Sequence, residues 1–414
     1  MSMMGTAVSG MLADTNWLST ISQNVSNSNT TGYKNVETEF ATVVDQVGSS
    51  ADALGGVSTT VRSLNSLQGN VVGTTTTTDL AVQGDGYFVV SDSSGALYLT
   101  RNGSFVPDAN GDLVNSAGYY LMGYDLKNGA SAATSNSLSG MVKINTVSAG
   151  EEATPTTTGT LSMNLPSTAT AVAAADLPST NSATSQYTDE TSLTVYDDLG
   201  GAETLNIYTT KTAANTWEID VYDAADAAAG GGFPYSAGPL ATQTLTFSAT
   251  SGALTGGSTL SIPVPGGQTM SLNLSDTTQL ASAFAVNASS ANGNAPSSLT
   301  GVTISPDGTL DFSYSNGETS AGYQIPLATV ASEDNLTTIS GDAYQANQNS
   351  GTIRVGTAGS DGLGTIQSSS LEDSTVDLAT ELTQMIEAQS AYQANSKVFQ
   401  TGADLLDILN NLKS

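Results

Sequence analysis

Three pairs of neighbouring acids, Glu151 with Glu152, Asp197 with Asp198 and Glu333 with Asp334, are the side chains best placed to do chemistry. A glycoside hydrolase needs only two carboxylates, one as acid and one as base or nucleophile. No aromatic-lined cleft is legible around any pair, so solvated turns account for them better. The segment "DANGD", residues 108–112, has the acid spacing of a calcium loop but lacks the further ligands and terminal glutamate of an EF-hand. It reads as a turn. The glycine-rich stretch 356–364 contains no lysine and opens no phosphate-binding pattern, so it reads as a flexible connector. The chain has no histidine and no cysteine. Imidazole proton shuttles, serine triads, disulfides and thiolate metal sites are therefore excluded. No enzyme, cofactor or metal is expected.

Charge narrows the partners. Nine Lys and Arg against 38 Asp and Glu give a net charge of −29, which repels nucleic acid phosphates and anionic membranes alike. Neither nucleic acid binding nor membrane insertion is expected. The first residues lack a basic region followed by a continuous apolar one, and no run approaches the roughly 18 apolar residues of a membrane span. Any export is expected to proceed without a cleaved signal. The sequon Asn24-Val25-Ser26 would matter only in a secretory pathway, and nothing indicates one.

The elements at the two ends differ from those between. Val8, Met11, Leu18 and Val25, with Thr15 and Ser22 completing steps of three and four, predict an amphipathic helix of about five turns, its face broadened by Leu12 and Ile21. Leu378, Leu382, Met385, Gln389, Tyr392, Ser396, Phe399, Ala403 and Leu406 keep the same steps over four heptads, flanked by Ile386, Leu405, Leu409 and Leu412. With Ser374 and Asp377 as a capping box, this predicts a helix over 374–412, on the order of 60 Å long. A coiled-coil period asks for a partner, either the other helix or a copy in a neighbouring chain. Both ends are expected to be poorly ordered until something packs on them.

Between the helices the chain reads as β. In 79–125, apolar and aromatic runs alternate with "GDG", "DSSG", "RNG" and "DANGD", a meander of hairpins. In 191–223, Leu193, Val195, Leu205, Ile207, Trp217, Ile219 and Val221 share one face of three strands, predicting an antiparallel sheet with one wet side. Further strands are expected at 242–248, 258–264, 302–304, 309–314 and 322–327. Loops are expected at 128–140, 165–187 and 285–298, which are rich in Ala, Ser, Thr and Asn. The fold class is mainly β with terminal α-helices: two nested antiparallel β domains plus a helical coiled-coil domain. The expected boundaries are 1–70 with 358–414 for the helical part, 71–147 with 295–357 for the first β domain, and 148–294 for an inserted outer β domain.

Three separated segments carry a resemblance. "NVSNSNTTGYK", residues 24–34, resembles the N-terminal motif of the bacterial flagellar rod and hook family at Asn24, Asn27, Asn29, Thr31, Gly32, Tyr33 and Lys34. Residues 371–412 resemble its C-terminal signature in "VDL", "AYQAN" and Lys397, departing at Ser390, often Arg in relatives, and Thr375, often Asn. "DLAVQGDGYFVV" and "TRNGSFVPDANGDLVNSAGYYLMGY" resemble its first β domain. The hairpin within 204–223 is similar to the outer domain of hook subunits, and this insertion with the overall length favours the hook over the shorter distal rod.

The resemblance implies an extracellular structural subunit that forms a homo-polymer, a curved, flexible hollow tube linking rod to filament. It implies contacts with rod, hook cap and hook–filament junction proteins and passage through a type III export apparatus. The expected assembly residues are Val8, Met11, Leu18, Ile21, Asn24, Val25, Asn27, Asn29, Gly32 and Tyr33 at one end. At the other they are Leu378, Leu382, Met385, Tyr392, Asn395, Phe399, Leu406 and Leu409. The amides of Asn24, Asn27 and Asn29 are expected to bond to neighbouring subunits' backbones, so that replacing them by Ala spares the monomer and abolishes tubes. The alternatives are a distal rod protein, an acidic surface adhesin and a secreted carbohydrate-active enzyme.

Overall fold

The computed structural model describes residues 3–44, 55–127 and 138–412, apart from the side chains of Val44 and 409–412. Of the loop expected at 128–140, residues 128–137 lie outside the described residues. The chain is mainly β, with one helix near each end.

The first helix, α1 (Met3–Ser26), is 24 residues long, nearly seven turns rather than five. Its hydroxyl residues are accommodated within the helix, Thr15, Thr20, Ser22 and Ser26 each donating to the carbonyl four residues back. The amides and hydroxyls that follow end it. Asn27 Nδ2 donates to the Gln23 carbonyl at 2.9 Å and Ser28 Oγ to that of Val25 at 3.0 Å, while Gly32 takes a φ of +72°.

The second helix, α2 (Leu378–Leu412), begins four residues after Ser374, its expected start. Asp377 is the cap, accepting the Ala379 N–H at 2.9 Å and the Thr380 N–H at 3.3 Å. The helix cannot begin earlier because Thr375 is held by the chain beside α1: its N–H donates to Tyr33 O and its Oγ1 accepts the Asn35 N–H.

The two helices pack on each other along a seam of small and polar residues. Ala7, Asp14, Ile21 and Asn24 are buried on α1, and Glu381, Ala388 and Gly402 on α2. A methyl at Gly10 would come 2.7 Å from Asn395 Nδ2, and one at Gly402 would come 2.8 Å from Met4 Cγ. Two strands, β1 (Val36–Val44) and β2 (Gly55–Ser63), form an antiparallel ribbon along α1. Asn16 Nδ2 donates to Thr59 Oγ1 at 2.8 Å, and Trp17 meets Phe40 edge to face.

The chain divides into two compact units, the first comprising Met1–Ala149, Thr300–Ser313 and Gly317–Ser414, the second Gly150–Leu299 with Tyr314–Asn316. In the first, the expected meander forms: Tyr87–Ser91 pairs with Leu97–Thr100, Tyr120–Asp125 and Pro326–Thr329. Tyr87, Val89, Leu99, Tyr344 and Val355 pack together there.

In the second unit, Asp189–Tyr196, Ala202–Ala213, Thr216–Asp223, Ala241–Phe247 and Leu254–Gly256 form an antiparallel sheet in that order. Its seven alternating apolar residues from Leu193 to Val221 are all in one core with Leu161, Met163 and Leu165 of a second sheet. Three expectations fail here. The strand Thr158–Pro166 pairs parallel with Thr269–Asn273 and Thr278–Leu280, so the unit is not purely antiparallel. That strand meets partners from far along the chain and is buried from Leu161 to Leu165, the setting in which parallel pairing occurs. Next, the far side of the first sheet is not wet: Tyr208, Thr210, Asp220 and Tyr222 are buried there. The segments around Pro178 and Tyr235 cover it, Tyr222 Oη donating to Pro178 O at 2.6 Å and Tyr208 bonding Tyr235 at 2.7 Å. Finally, 285–298 is not a loop but the strands Ala285–Ala291 and Asn294–Ser297, whose Ala, Ser and Asn side chains suffice because the first is exposed almost throughout and supplies backbone bonds rather than packing.

Candidate functional site

The acids that opened the sequence reading do not converge. Asp108 Oδ1 accepts the N–H groups of Asn110 and Asp112, and Asp197 Oδ1 those of Leu199 and Gly201, so both close turns. Glu152 accepts from the Tyr314 hydroxyl, Glu333 from that of Tyr87, and Asp334 from Ser66. Each of these five carboxylates has a structural partner of its own.

Where the outgoing and returning chain pass each other, a buried charge cluster forms. Glu372 is fully buried, and its Oε1 accepts from Lys34 Nζ at 2.5 Å and from the Gly69 N–H at 2.7 Å. Its Oε2 faces Arg101 Nη1 at 3.4 Å. Lys34 also donates to Leu67 O, and Arg101 Nη2 to Gly84 O at 3.0 Å. The Arg101 guanidinium lies 5.0 Å from the centre of the Tyr87 ring. Tyr87 Oη in turn donates to Asn65 O and Glu333 Oε2. Burial depresses the Lys34 pKa, and Glu372 opposes that shift. Position 69 admits only glycine, since a Cβ would lie 2.1 Å from Asp373 O. One carboxylate thus ties together the segment leaving α1 at Lys34, the stretch around Gly69, the bend at Arg101 and the approach to α2. Glu372 and Arg101 carry no local sequence signal; only pairing across 338 and 271 residues reveals them.

A second node centres on Asn24. Its Nδ2 donates to Val36 O at 2.8 Å and Glu381 Oε1 at 3.0 Å; its Oδ1 accepts the Val36 N–H at 3.0 Å and the Tyr33 hydroxyl at 3.2 Å. The amide expected to reach a neighbouring subunit is fully engaged within its own chain. A helix amide that must fix the following strand as well as α2 has no bond left to offer. Asn27 likewise bonds Gln23 and Thr30, whereas Asn29 is exposed.

The remaining expected residues fall into three groups. Ile21, Gly32 and Tyr33 are buried, and Met11, Leu18, Val25, Met385, Asn395 and Phe399 are half-buried. Asn395 Nδ2 donates to Asp14 Oδ2 at 2.8 Å across the seam. Val8, Leu378, Leu382, Tyr392 and Leu406 are exposed, together with Leu12 (63%), Ile386 (65%), Val398, Leu405 and Ile408. The Leu409 side chain lies outside the described residues. The bulky apolar side chains of α2 are therefore mostly bare and those of α1 mostly half-buried, while the helix-to-helix seam is built largely from smaller and polar ones.

Four family models match segments along the chain. Residues 4–34 match the flagella basal body rod protein family, and 81–173 the flagellar hook protein FlgE/F/G D1 domain. Residues 164–294 match the flagellar basal body protein FlaE D2 domain, and 367–412 the flagellar basal body rod FlgEFG protein C-terminal family. The chain is 33% identical over 418 residues to the flagellar hook protein FlgE of Salmonella typhimurium, covering 98% of this chain and 99% of that one. A crystal structure of Helicobacter pylori flagellar hook protein FlgE2 aligns at 13% identity and a TM-score of 0.48, covering 73% of this chain and all of the other. The flagellar hook protein FlgE of Brucella abortus is 44% identical over 413 residues, 99% of this chain and 98% of that relative. With identities of 44% and 33% along essentially the whole length, the chain belongs to the flagellar hook protein family.

Proposed function

We propose that the chain is a structural subunit of the hook that polymerises through its terminal helices into a curved, flexible hollow tube, joining rod to filament and transmitting torque. The observation that carries this reading is the bare apolar stripe from Leu378 to Ile408 on a helix whose seam with α1 is already filled. Eight large apolar side chains left exposed along one helix ask for partners. A contact between unlike faces of identical copies does not close on itself and so builds an open helical assembly. The helical part, 1–70 with 358–414, then supplies the coiled-coil contacts of the polymer. The β domains, 71–147 with 295–357 and 148–294, do not carry this stripe. Contacts with rod, cap and junction proteins, export through a type III apparatus without signal cleavage, and an extracellular location belong to the same proposal.

The test is negative-stain electron microscopy of purified chain after salt is raised, since a charge of −29 opposes association until screening reduces the Debye length to about 10 Å at 0.1 M. The native chain is expected to give curved hollow tubes. A Leu382→Ser, Ile386→Ser, Leu406→Ser variant is expected to fold as a monomer with native helical circular dichroism and to form none. Normal tubes from that variant would overturn the assignment of the stripe.

A further inference from the structure

Beside the Asn24 node lies an open cavity of about 240 Å³, walled by Trp17, Ile21, Phe40 and Gln384 and carrying the carboxylates of Glu37 and Glu381. Glu381 is 5% exposed. Its Oε1 is held by Asn24, but its buried Oε2 has no hydrogen-bond partner. Burial raises the Glu381 pKa, and Glu37 and Asp377 push it further the same way. A buried carboxylate oxygen without a donor costs free energy that a cation would recover. Two aromatic rings, meeting edge to face at 5.6 Å, suit the apolar stem of a lysine.

The chain itself offers few candidates for that cation. Lys34 and Arg101 are taken by Glu372, and Arg62 by Glu39 and Asp334. Lys127 sits over the Phe312 ring, Lys143 over that of Tyr120, and Lys211 donates to Ser167 O. Among the described basic side chains, Arg354 and Lys397 remain, both exposed. Only Lys397 stands on a terminal helix, next to the exposed Val398 of the apolar stripe. It lies two residues past the seam residue Asn395, which turns it about 200° away from α1, and about 24 Å along α2 from Glu381. It cannot reach the cavity of its own chain.

We infer that the Glu37–Glu381 cavity is a socket for Lys397 of a second copy of this chain, so that each subunit presents the lysine on one face and the socket on another. The inference rests on the polymer reading above and adds to it a specific, charge-matched contact that sets register between copies, where the apolar stripe alone would allow sliding. Because the chain contains no cysteine, a Glu37→Cys, Lys397→Cys variant of the full chain carries only these two thiols, and peptide mapping of the oxidised product must find the 37–397 disulfide rather than 37–37 or 397–397. Oxidised under polymer-forming salt, it is expected to give a ladder of dimers, trimers and longer species on a denaturing gel, which either single variant cannot extend beyond dimers. In parallel, Lys397→Gln and Glu381→Gln are each expected to slow polymerisation at least about tenfold, and the double variant no more than either alone. Native tubes with no ladder, or a Lys397→Gln chain polymerising at the native rate, would overturn the socket while leaving the polymer standing. A folded native chain that forms no tubes at all would overturn both.

Discussion

Replacing Glu372 by Ala removes, among the described residues, the one carboxylate that pairs with both buried cations of the junction. Lys34 and Arg101 are 1% and 2% exposed in their side chains, and Glu372 is 0% exposed. The variant leaves two charges in a low-dielectric interior and orphans the Gly69 N–H. Breaking a buried pair by truncating one partner costs about 3–5 kcal/mol, because the stranded charge cannot regain its water. The unit containing the junction also holds both helices, so helical circular dichroism reports its unfolding. With a urea slope of about 3 kcal/mol per M, the helical transition should move down by at least about 1 M. Glu372→Gln, which keeps an acceptor and loses the charge, separates the two contributions and should fall between native and Glu372→Ala. Replacing all three by apolar residues, Lys34→Met, Arg101→Met and Glu372→Leu, should by contrast be neutral or stabilising by about 1–4 kcal/mol. A loss below about 1 kcal/mol for Glu372→Ala would refute the reasoning, since the cations would then be solvated in a way the buried geometry excludes.

Asn24→Ala should destabilise the monomer itself by about 1–3 kcal/mol, because the Val36 N–H, the Tyr33 hydroxyl and the Glu381 carboxylate all lose a partner at once. Thermal unfolding that matches the native chain, with tubes lost, would restore a role for this amide between subunits. Asp220, pushed up from 3.8 to about 7 mainly by burial and further by Glu218, against a lowering bond from Thr242, gives the second unit a pH signature. The folded state keeps this proton between about pH 4 and 7 while the unfolded chain releases it, so the contribution to stability falls as pH rises through that window, by on the order of 4 kcal/mol in all. In a Trp17→Phe background Trp217 is the remaining indole and reports this unit. The difference between Asp220→Asn and the native chain in urea unfolding should therefore grow in the variant's favour from pH 4 to 7; a difference independent of pH would exclude a protonated Asp220 in the fold.

Alternation served well where burial follows residue type. Leu193, Val195, Leu205, Ile207, Trp217, Ile219 and Val221 were legible as one face because each strand there turns its large apolar side chains to a single core. The same reasoning misjudged the other face, although Tyr208 and Tyr222 on it, with Phe233 and Tyr235 downstream, already marked a second aromatic cluster. Period-two patterning sees one face at a time, and a covering segment from elsewhere in the chain leaves no local trace. Thr158–Pro166 pairs with strands more than a hundred residues away for the same reason its parallel register was illegible.

The helices show a different limit. Heptad steps through Val8, Met11, Leu18 and Val25, and through Leu382, Met385, Tyr392, Phe399 and Leu406, locate the largest apolar face of each helix, and periodicity can do no more than that. Inside one chain the helices meet one residue to the side, at Ala7, Asp14, Ile21 and Asn24 and at Glu381, Ala388, Asn395 and Gly402. Small residues let the backbones approach, and the polar members bond across the gap, Asn24 to Glu381 and Asp14 to Asn395, so the contact is specific, with Ile21 the one bulky apolar member of that set. A subunit built this way can order its two ends on each other and still keep its bulkiest face uncovered. That division predicts which substitutions separate folding from assembly: changes on the seam act on the monomer first, and changes on the bare stripe act only when copies meet.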